Sequence, residues 1–274
     1  MPRSSQFAGR TVLITGASAG IGAALAREFA ARGARLVLSA RRLDRLNELA
    51  AELRACGAEA LVHEADVTRD GDIARIVAAM QAAGGAIDVV VANAGFGVAG
   101  PIRKLSVSDY RRQYETNVFG VLRTICESLE ALRRSRGQLV LIGSVAAYIA
   151  ASHASAYAST KFAVRAISEA IRGELRGEGI RVTLVSPGFV DSDIRRTDNR
   201  GALHAGAPDP VPAWLRMRSD RAARIIVSGI ARRRAEVIVT AHGKALVFLG
   251  RHCTWLVRLL TQRGRAQARS EPQG

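Results

Sequence analysis

Short runs of aliphatic and β-branched residues alternate along this chain with longer stretches whose apolar positions recur at helical spacing. Thr11 to Thr15, Arg35 to Ser39, Ala60 to Val62, Asp88 to Ala92, Gln138 to Ile142 and Arg181 to Val185 read as strands, with Val237 to Thr240 as a last one. Helices are expected at Gly20 to Arg32, Leu43 to Ala55 and over about 70–83, 108–134, 157–178 and 219–232. The strands are near-continuous apolar runs, the mark of a parallel sheet covered on both faces. Repeated βα order therefore predicts an α/β fold: a doubly wound parallel sheet of about seven strands with helices on both faces, binding ligands at its C-terminal strand ends.

Two segments depart from this rhythm. Residues 186–215 carry Pro187, Pro208, Pro210 and Pro212 with Gly188, Gly201 and Gly206, and so long a loop is expected to be a lid over a site. Residues 245–260 are apolar on nearly every side of a helix. Leu246, Leu249, Cys253, Leu256, Val257 and Leu260 form one seam, and Phe248, Trp255 and Leu259 lie opposite. Such a helix is either buried or in lipid. With Arg233, Arg234, Lys244, Arg263 and Arg265 around it, one expectation is contact with a membrane surface. The other is packing on its own domain or on a second subunit. The chain thus divides into a domain over 1–241, lid included, and a basic, partly apolar extension over 242–274.

The polar chemistry gathers at the strand ends. The first strand runs into Thr15-Gly16-Ala17-Ser18-Ala19-Gly20-Ile21-Gly22. Glycines there let the backbone approach a phosphate, which the following helix N-terminus attracts. The second strand is followed by Arg41 and Arg42 and by no acidic residue. An acid would favour the ribose 2′-OH of NAD, whereas an arginine accommodates the 2′-phosphate of NADP, with Arg41 the first choice and Arg42 supporting it. Tyr157 and Lys161 are four apart, on one helix face. A phenol ordinarily titrates near ~10, and a neighbouring ammonium favours its phenolate, so Tyr157 is a candidate general acid/base. Ser144 follows a strand and sits at the sheet edge where ligands bind; a helix cap is the other role for a serine so placed.

Taken together, these residues resemble the short-chain dehydrogenase/reductase family in its single-domain, Rossmann-like form, over roughly residues 10–240. The resemblance rests on Thr15-Gly16-x-x-x-Gly20-Ile21-Gly22, Asp66-Val67, Asn93-Ala94-Gly95, Asn117, Ser144, Tyr157-x-x-x-Lys161 and Pro187-Gly188. It implies a catalytic set of Asn117, Ser144, Tyr157 and Lys161. It implies cofactor contacts from Gly16, Ser18, Ala19, Gly20, Ile21, Gly22, Arg41, Arg42, Asp66, Val67, Asn93, Ala94, Gly95, Tyr157, Lys161, Pro187, Gly188, Val190 and Ser192. Asp66 would meet the adenine with Val67 beside it, and Asn117 would hold a water in a proton relay through Lys161. Asn93 has a second role open to it, holding neighbouring strands together, and Asn117 that of a polar residue that kinks its helix. Ser192 stands where the family usually has Thr, and keeps the hydroxyl for the nicotinamide carboxamide. Ile142 and Pro187 would flank the nicotinamide.

The function so implied is NADP(H)-dependent hydride transfer to or from a carbonyl or secondary alcohol, with NAD(H) the less favoured cofactor. Phe96, Ala146, Tyr148, Phe189 and the lid would make an apolar pocket, suited to a lipid-like substrate. The alternatives are reduction of a 3-oxoacyl thioester on an acidic carrier, or a non-catalytic nucleotide sensor on the same fold. A homodimer or homotetramer through the helices at about 108–134 and 157–178 is the family's habit.

Composition adds less. Lys and Arg number 40 against 24 Asp and Glu, a net charge of +16 in 274 residues. Thirteen of these cations against three acids fall in residues 215–274. Such a balance raises nucleic acid as a partner, but no helix-turn-helix, zinc or aromatic RNA motif accompanies it, so nucleic acid is not expected. Cys56, Cys126 and Cys253 have no metal-ligand or disulfide spacing, so no metal site is expected. Reduced thiols and the lack of an apolar signal segment in MPRSSQFAGR point to a cytoplasmic protein, membrane-associated if the extension meets lipid.

Overall fold

Along each inner strand successive side chains turn to opposite faces, and both faces are apolar. In β1 (Thr11–Thr15) Val12 and Ile14 enter one core and Leu13 the other. β4 (Val89–Ala92) divides the same way, Val89 and Val91 against Val90 and Ala92. So does β5 (Gln138–Ile142), with Val140 and Ile142 opposed to Leu139 and Leu141. A sheet buried on both sides needs a helical layer on each, which the βα connections supply.

The computed structural model describes residues 6–192, 194, 198, 199, 206, 209 and 211–255. Its remaining strands are β2 (Arg35–Ala40), β3 (Ala60–Glu64), β6 (Arg181–Ser186) and β7 (Glu236–Ile238). All seven pair in parallel, in the order β3-β2-β1-β4-β5-β6-β7. The helices α1 (Gly20–Ala30), α2 (Leu43–Ala55) and α3 (Asp72–Ala82) fall in the first half. α4 (Val107–Tyr114), α5 (Gly120–Ser135), α6 (Ser155–Arg176), α7 (Ser219–Ala231) and α8 (Ala241–His252) follow. α1, α2 and α7 cover one face of the sheet, and α3, α5 and α6 the other. This is the Rossmann-like, doubly wound fold. The chain reverses direction across the sheet between β1 and β4, the switch point at which such folds open a crevice.

Two elements differ from the periodicity. The helix expected over about 108–134 is α4 and α5 joined by a π-helical turn at Glu115–Phe119, with Asn117 in its middle. The kink expected of Asn117 thus takes the form of one wide turn, a feature that recurs at functional sites. The helix expected over 245–260 starts earlier, at Ala241, and is interrupted at Cys253, after which Thr254 and Trp255 are again helical. Thr240 caps α8 by accepting Gly243 N–H at 3.1 Å. Cys253 then leaves helical geometry with φ −127° and ψ 45°. Val247 packs with Ala147 and Tyr148, and a Cβ at Gly250 would come within 2.7 Å of Tyr148 O. The inner side of α8 therefore rests on the 3₁₀ turn Val145–Ala147 and the residues after it. Residues 256–260 lie outside the described residues, as do Gly201, His204, Pro208 and Pro210 of the expected lid.

Candidate active site

The glycine turn after β1 is shaped by contact rather than by flexibility. Gly16 has φ +65°, and a Cβ on it would lie 2.7 Å from Ala94 Cα. A Cβ on Gly22 would lie 2.3 Å from Gly16 O and 2.6 Å from Asn93 Nδ2. That nitrogen donates to Thr15 O at 2.9 Å and Gly16 O at 3.0 Å. Thr15 Oγ1 accepts from Asn93 N at 3.1 Å and Ala94 N at 3.2 Å. Asn93 is thus the strut between β1 and β4, and Asn93 and Ala94 underlie the glycine turn, whereas a Cβ on Gly95 would lie 3.1 Å from Asn117 Oδ1. Ala19, Gly20 and Ile21 form the start of α1, with its unpaired N–H groups at the crevice.

The cationic and acidic candidates flank this turn. Arg42 donates to Ser18 Oγ from Nε at 3.3 Å and from Nη2 at 3.0 Å. Arg41 is exposed and stands 3.9 Å from Asp66 Oδ2. Asp66 also accepts from Thr68 N and Thr68 Oγ1, at 3.0 and 2.9 Å. Val67 is buried against Gly120, where any Cβ would approach Val67 Cγ2 to 2.6 Å. This contact joins the Asp66-Val67 segment to the π turn.

Both donors of the Asn117 carboxamide are committed, to Phe96 O at 3.0 Å and Thr160 Oγ1 at 3.2 Å. Its Oδ1 accepts Phe96 N–H at 3.1 Å. Asn117 therefore ties the loop after β4 to α6. Gln113 adds a second tie, accepting Val98 N–H at 2.5 Å and donating to Phe96 O at 2.6 Å. Gln113 and Thr160 are struts that periodicity does not single out, since each reads as an ordinary polar helix residue.

Ser144 lies two residues beyond the end of β5, is buried, and accepts Ala146 N–H at 3.1 Å, so it caps a 3₁₀ turn at the crevice end of the sheet. Tyr157 and Lys161 lie in the first two turns of α6. The Lys161 ammonium is 5.6 Å from the centre of the Tyr157 ring and donates to Ile142 O at 2.9 Å. That bond fastens α6 to the end of β5, two residues from Ser144. Burial of the ammonium lowers its pKa from 10.5 to about 8. It remains largely cationic at neutral pH.

The turn after β6 closes the site. Pro187 O accepts Val145 N–H at 3.0 Å, next to Ser144. Val190 is buried in the core and bridges to Met217. Ser192 returns to the glycine turn, where a Cβ on Gly20 would be 3.2 Å from Ser192 Cβ. Phe96, Ala146 and Phe189 are partly exposed here. Tyr148 is not a pocket wall. Its ring is buried between the guanidiniums of Arg165 and Arg251, 4.2 and 5.0 Å from its centre, and its hydroxyl donates to Glu236. The apolar pocket therefore loses one expected member, because two arginines distant in sequence draw the ring inward.

Among the described residues no cluster of His, Cys, Asp or Glu could hold a metal ion, and no helix is long and apolar enough to cross a membrane. The free cysteines are Cys56, Cys126 and Cys253.

Comparison with known proteins bears on this arrangement. A family profile described as short chain dehydrogenase matches residues 10–202. An uncharacterized oxidoreductase of Myxococcus xanthus is 35% identical over 229 residues, 83% of this chain and 86% of that protein. 11-beta-hydroxysteroid dehydrogenase A of Arachis hypogaea is 37% identical over 195 residues. That match takes 70% of this chain but only 56% of the plant protein. Among solved structures, a short-chain dehydrogenase of Sphingobium yanoikuyae in complex with NADPH is 29% identical, with a TM-score of 0.74 over 97% of both chains. A short chain dehydrogenase/reductase of Burkholderia phymatum in complex with NAD is 25% identical, with a TM-score of 0.79 over 89% of this chain and 93% of that one. The chain belongs to the short-chain dehydrogenase/reductase family of oxidoreductases, whose cofactors are nicotinamide nucleotides.

Proposed function

We propose that this chain is an NADP(H)-dependent oxidoreductase that moves hydride between the nicotinamide and the carbonyl or secondary alcohol of an apolar, lipid-like substrate. The observation that carries this reading is the buried Lys161 ammonium, set beside Tyr157 on one face of α6 and bonded to the end of β5 next to Ser144. A charge is kept in so dry a place at an energetic cost, which argues for a use.

The residues present fit a dinucleotide. The Gly16 turn and the α1 N-terminus suit the pyrophosphate. Asp66 and Val67 suit the adenine side, and Pro187, Gly188 and Ser192 the nicotinamide side. A bound nicotinamide supplies or accepts the hydride. Ser144 and Tyr157 donate hydrogen bonds to the carbonyl oxygen and stabilise the charge that develops on it. Tyr157 then gives its phenolic proton to that oxygen, and takes it back in the oxidation direction. Lys161 holds positive charge beside the phenol and favours its ionised form. Asn117 keeps the loop after β4 and α6 in register, so that Tyr157 meets the substrate at a set angle.

Preference for NADP(H) is supported by Arg42 and Ser18 meeting beside the glycine turn, by Arg41 near Asp66, and by the lack of an acid at the end of β2. The apolar substrate is supported by Phe96, Phe189 and Ala146 and by the steroid named for the plant relatives. Contact of the extension with anionic lipid is favoured by exposed Phe248 and Trp255 and by the exposed Lys244 at the start of the same segment. Association into dimers or tetramers is favoured by exposed Phe119 and Phe162 on the α4–α5 and α6 surfaces.

The test is titration with NADPH and NADH, then turnover of a ketone panel that includes steroids and long-chain ketones. Expected are tighter NADPH binding, turnover of an apolar ketone, and loss of about 10²–10⁴-fold in kcat for Tyr157→Phe. NADPH binding without turnover of any ketone or acyl thioester would favour the sensor, and turnover confined to carrier-bound thioesters the second enzymatic reading. Sedimentation with anionic vesicles and velocity sedimentation test the two surfaces.

A further inference from the structure

His242 is the second residue of α8, and its ring lies against the turn that follows β6. Nε2 is 3.2 Å from Phe189 N and 3.1 Å from Thr240 Oγ1. A backbone N–H can only donate, so Nε2 is the acceptor and the proton of the neutral ring is on Nδ1. The ring is also stacked on Phe189, with centres 5.4 Å apart and planes 26° from parallel. The fit leaves no room for a side chain at 188. A Cβ there would come within 2.2 Å of Thr240 Oγ1 and 2.5 Å of His242 Nε2. Gly188 is thus required by the close approach of Thr240 and His242.

This turn is placed to matter. Immediately before it Pro187 O takes Val145 N–H, beside Ser144. Just after it Val190 enters the core, and Ser192 lies over Gly20. A shift at Phe189 would reach both the substrate-side serine and the nicotinamide side of the crevice.

We propose that His242 is a positioning residue: from the C-terminal helix it holds the Gly188–Phe189 turn in place for the nicotinamide by accepting the Phe189 N–H. The role rests on the nicotinamide oxidoreductase reading above. It also gives α8 a task in the site, although the helix lies beyond the last strand.

The bond exists only while the ring is neutral. A protonated ring would present N–H to N–H and break it. Burial already moves the His242 pKa below its ordinary value. The titratable and charged groups on the neighbouring elements are Lys244, Arg251 and His252 of α8, Glu236 of β7, Tyr148 after the 3₁₀ turn, and Asp191 beyond the loop. Glu236 is held by Tyr148 and by Arg251 at 2.8 Å, and Asp191 by Arg216 at 3.2 Å. The groups hydrogen-bonded to the ring among the described residues are therefore neutral, Phe189 N–H and the Thr240 hydroxyl.

The experiment compares His242→Gln, whose Oε1 can accept the same N–H and does not titrate, with His242→Ala, which cannot accept it. In the protein without nucleotide, ¹⁵N NMR should find Nε2 unprotonated at pH 7.5. Exchange of the Phe189 amide should be slow in the wild type and in His242→Gln, and at least tenfold faster in His242→Ala. In steady-state assays the wild type should lose kcat/KM on the acid side, with a midpoint below that of an ordinary imidazole. His242→Gln should stay within about threefold of the wild type at pH 7.5 and lack that acid limb, and His242→Ala should be at least tenfold slower throughout. An Nε2-protonated ring, equal amide exchange in all three proteins, or an unchanged acid limb in His242→Gln would overturn the proposal. Failure of the wild type to bind NADPH or NADH would overturn the oxidoreductase reading and the positioning role with it. The amide measurement would then still report the Phe189–His242 bond, which keeps the two failures distinct.

Discussion

Arg42 turns both Nε and Nη2 onto the hydroxyl of Ser18, at 3.3 and 3.0 Å, and so carries its charge to the lip of the glycine turn. Arg41, which the motif pattern favours as the phosphate ligand, stands 3.9 Å from Asp66 and is 70% exposed. A 2′-phosphate between Ser18 and Arg42 would receive charge-assisted bonds, worth about 1.5–3 kcal/mol. Arg42→Ala is therefore expected to weaken NADPH binding roughly ten- to a hundredfold and to leave NADH binding nearly unchanged. Arg41→Ala should cost less, because solvent and Asp66 already screen its charge. Calorimetric titration of both nucleotides checks this. Equal losses for NADPH and NADH in Arg42→Ala would remove the phosphate assignment.

The glycine turn is held by Asn93, so damage to either should travel to the other. Gly22→Ala forces a methyl to within 2.3 Å of Gly16 O and 2.6 Å of Asn93 Nδ2. Overpacking of this kind costs about 1–3 kcal/mol. Asn93→Ala removes both donations to Thr15 O and Gly16 O, at a cost of about 1–3 kcal/mol for carbonyls left short of partners. Urea midpoints should fall in both variants, and nucleotide affinity with them. A variant that kept full affinity at reduced stability would show that Asn93 holds the strands without shaping the phosphate cradle.

α8 is expected to behave as part of the site's support. Gly250→Val would press a branched side chain onto Tyr148 O, 2.7 Å from the position of a Cβ, and lift the helix from Val145–Ala147. The amide of Val247 should then exchange faster, in line with a local loss of about 1–3 kcal/mol. Protection unchanged from the wild type would mean that the helix is held by its other contacts.

The sheet was legible because its signal is local. Thr11–Thr15 and Gln138–Ile142 are found at the residues their apolar runs predict, and the glycine turn between β1 and α1 follows from their order. What escaped depends on partners far along the chain. Tyr148 follows β5 much as a pocket residue would, yet Arg165 and Arg251 hold its ring inside. The seam of Leu246 and Leu249 predicts a helix, but its start is set by the Thr240 cap and its end by Cys253, neither of which alters hydrophobic spacing. Asn117 announces a kink as a polar residue within an apolar helix, whereas the wide turn that makes it depends on packing against Phe96 and Thr160. His242 escaped for a related reason, since its partner Phe189 is 53 residues away.

Lys161 should cost the protein stability when no nucleotide is bound. Its folded pKa is about 8, against an unfolded value near ~10.4. Between those values the unfolded chain binds more protons than the folded one, so this group's contribution to stability rises with pH across that window. Below pH 8 the buried charge carries its full penalty, about 3 kcal/mol at most by the same linkage. Lys161→Met keeps much of the stem and removes the charge, though it leaves Ile142 O without its 2.9 Å donor. At pH 7 the nucleotide-free variant is expected to be about 1–3 kcal/mol more stable than the wild type, and the gain should shrink toward zero by pH 10. Activity at pH 7 should fall by at least about a hundredfold, because the phenol of Tyr157 loses its cation, and the deficit should narrow toward pH 10, where Lys161 of the wild type is itself neutral. Urea denaturation at pH 7 and pH 10, run on both proteins, decides the matter. A variant less stable than the wild type at pH 7 would mean that the Ile142 bond outweighs the cost of burying the charge.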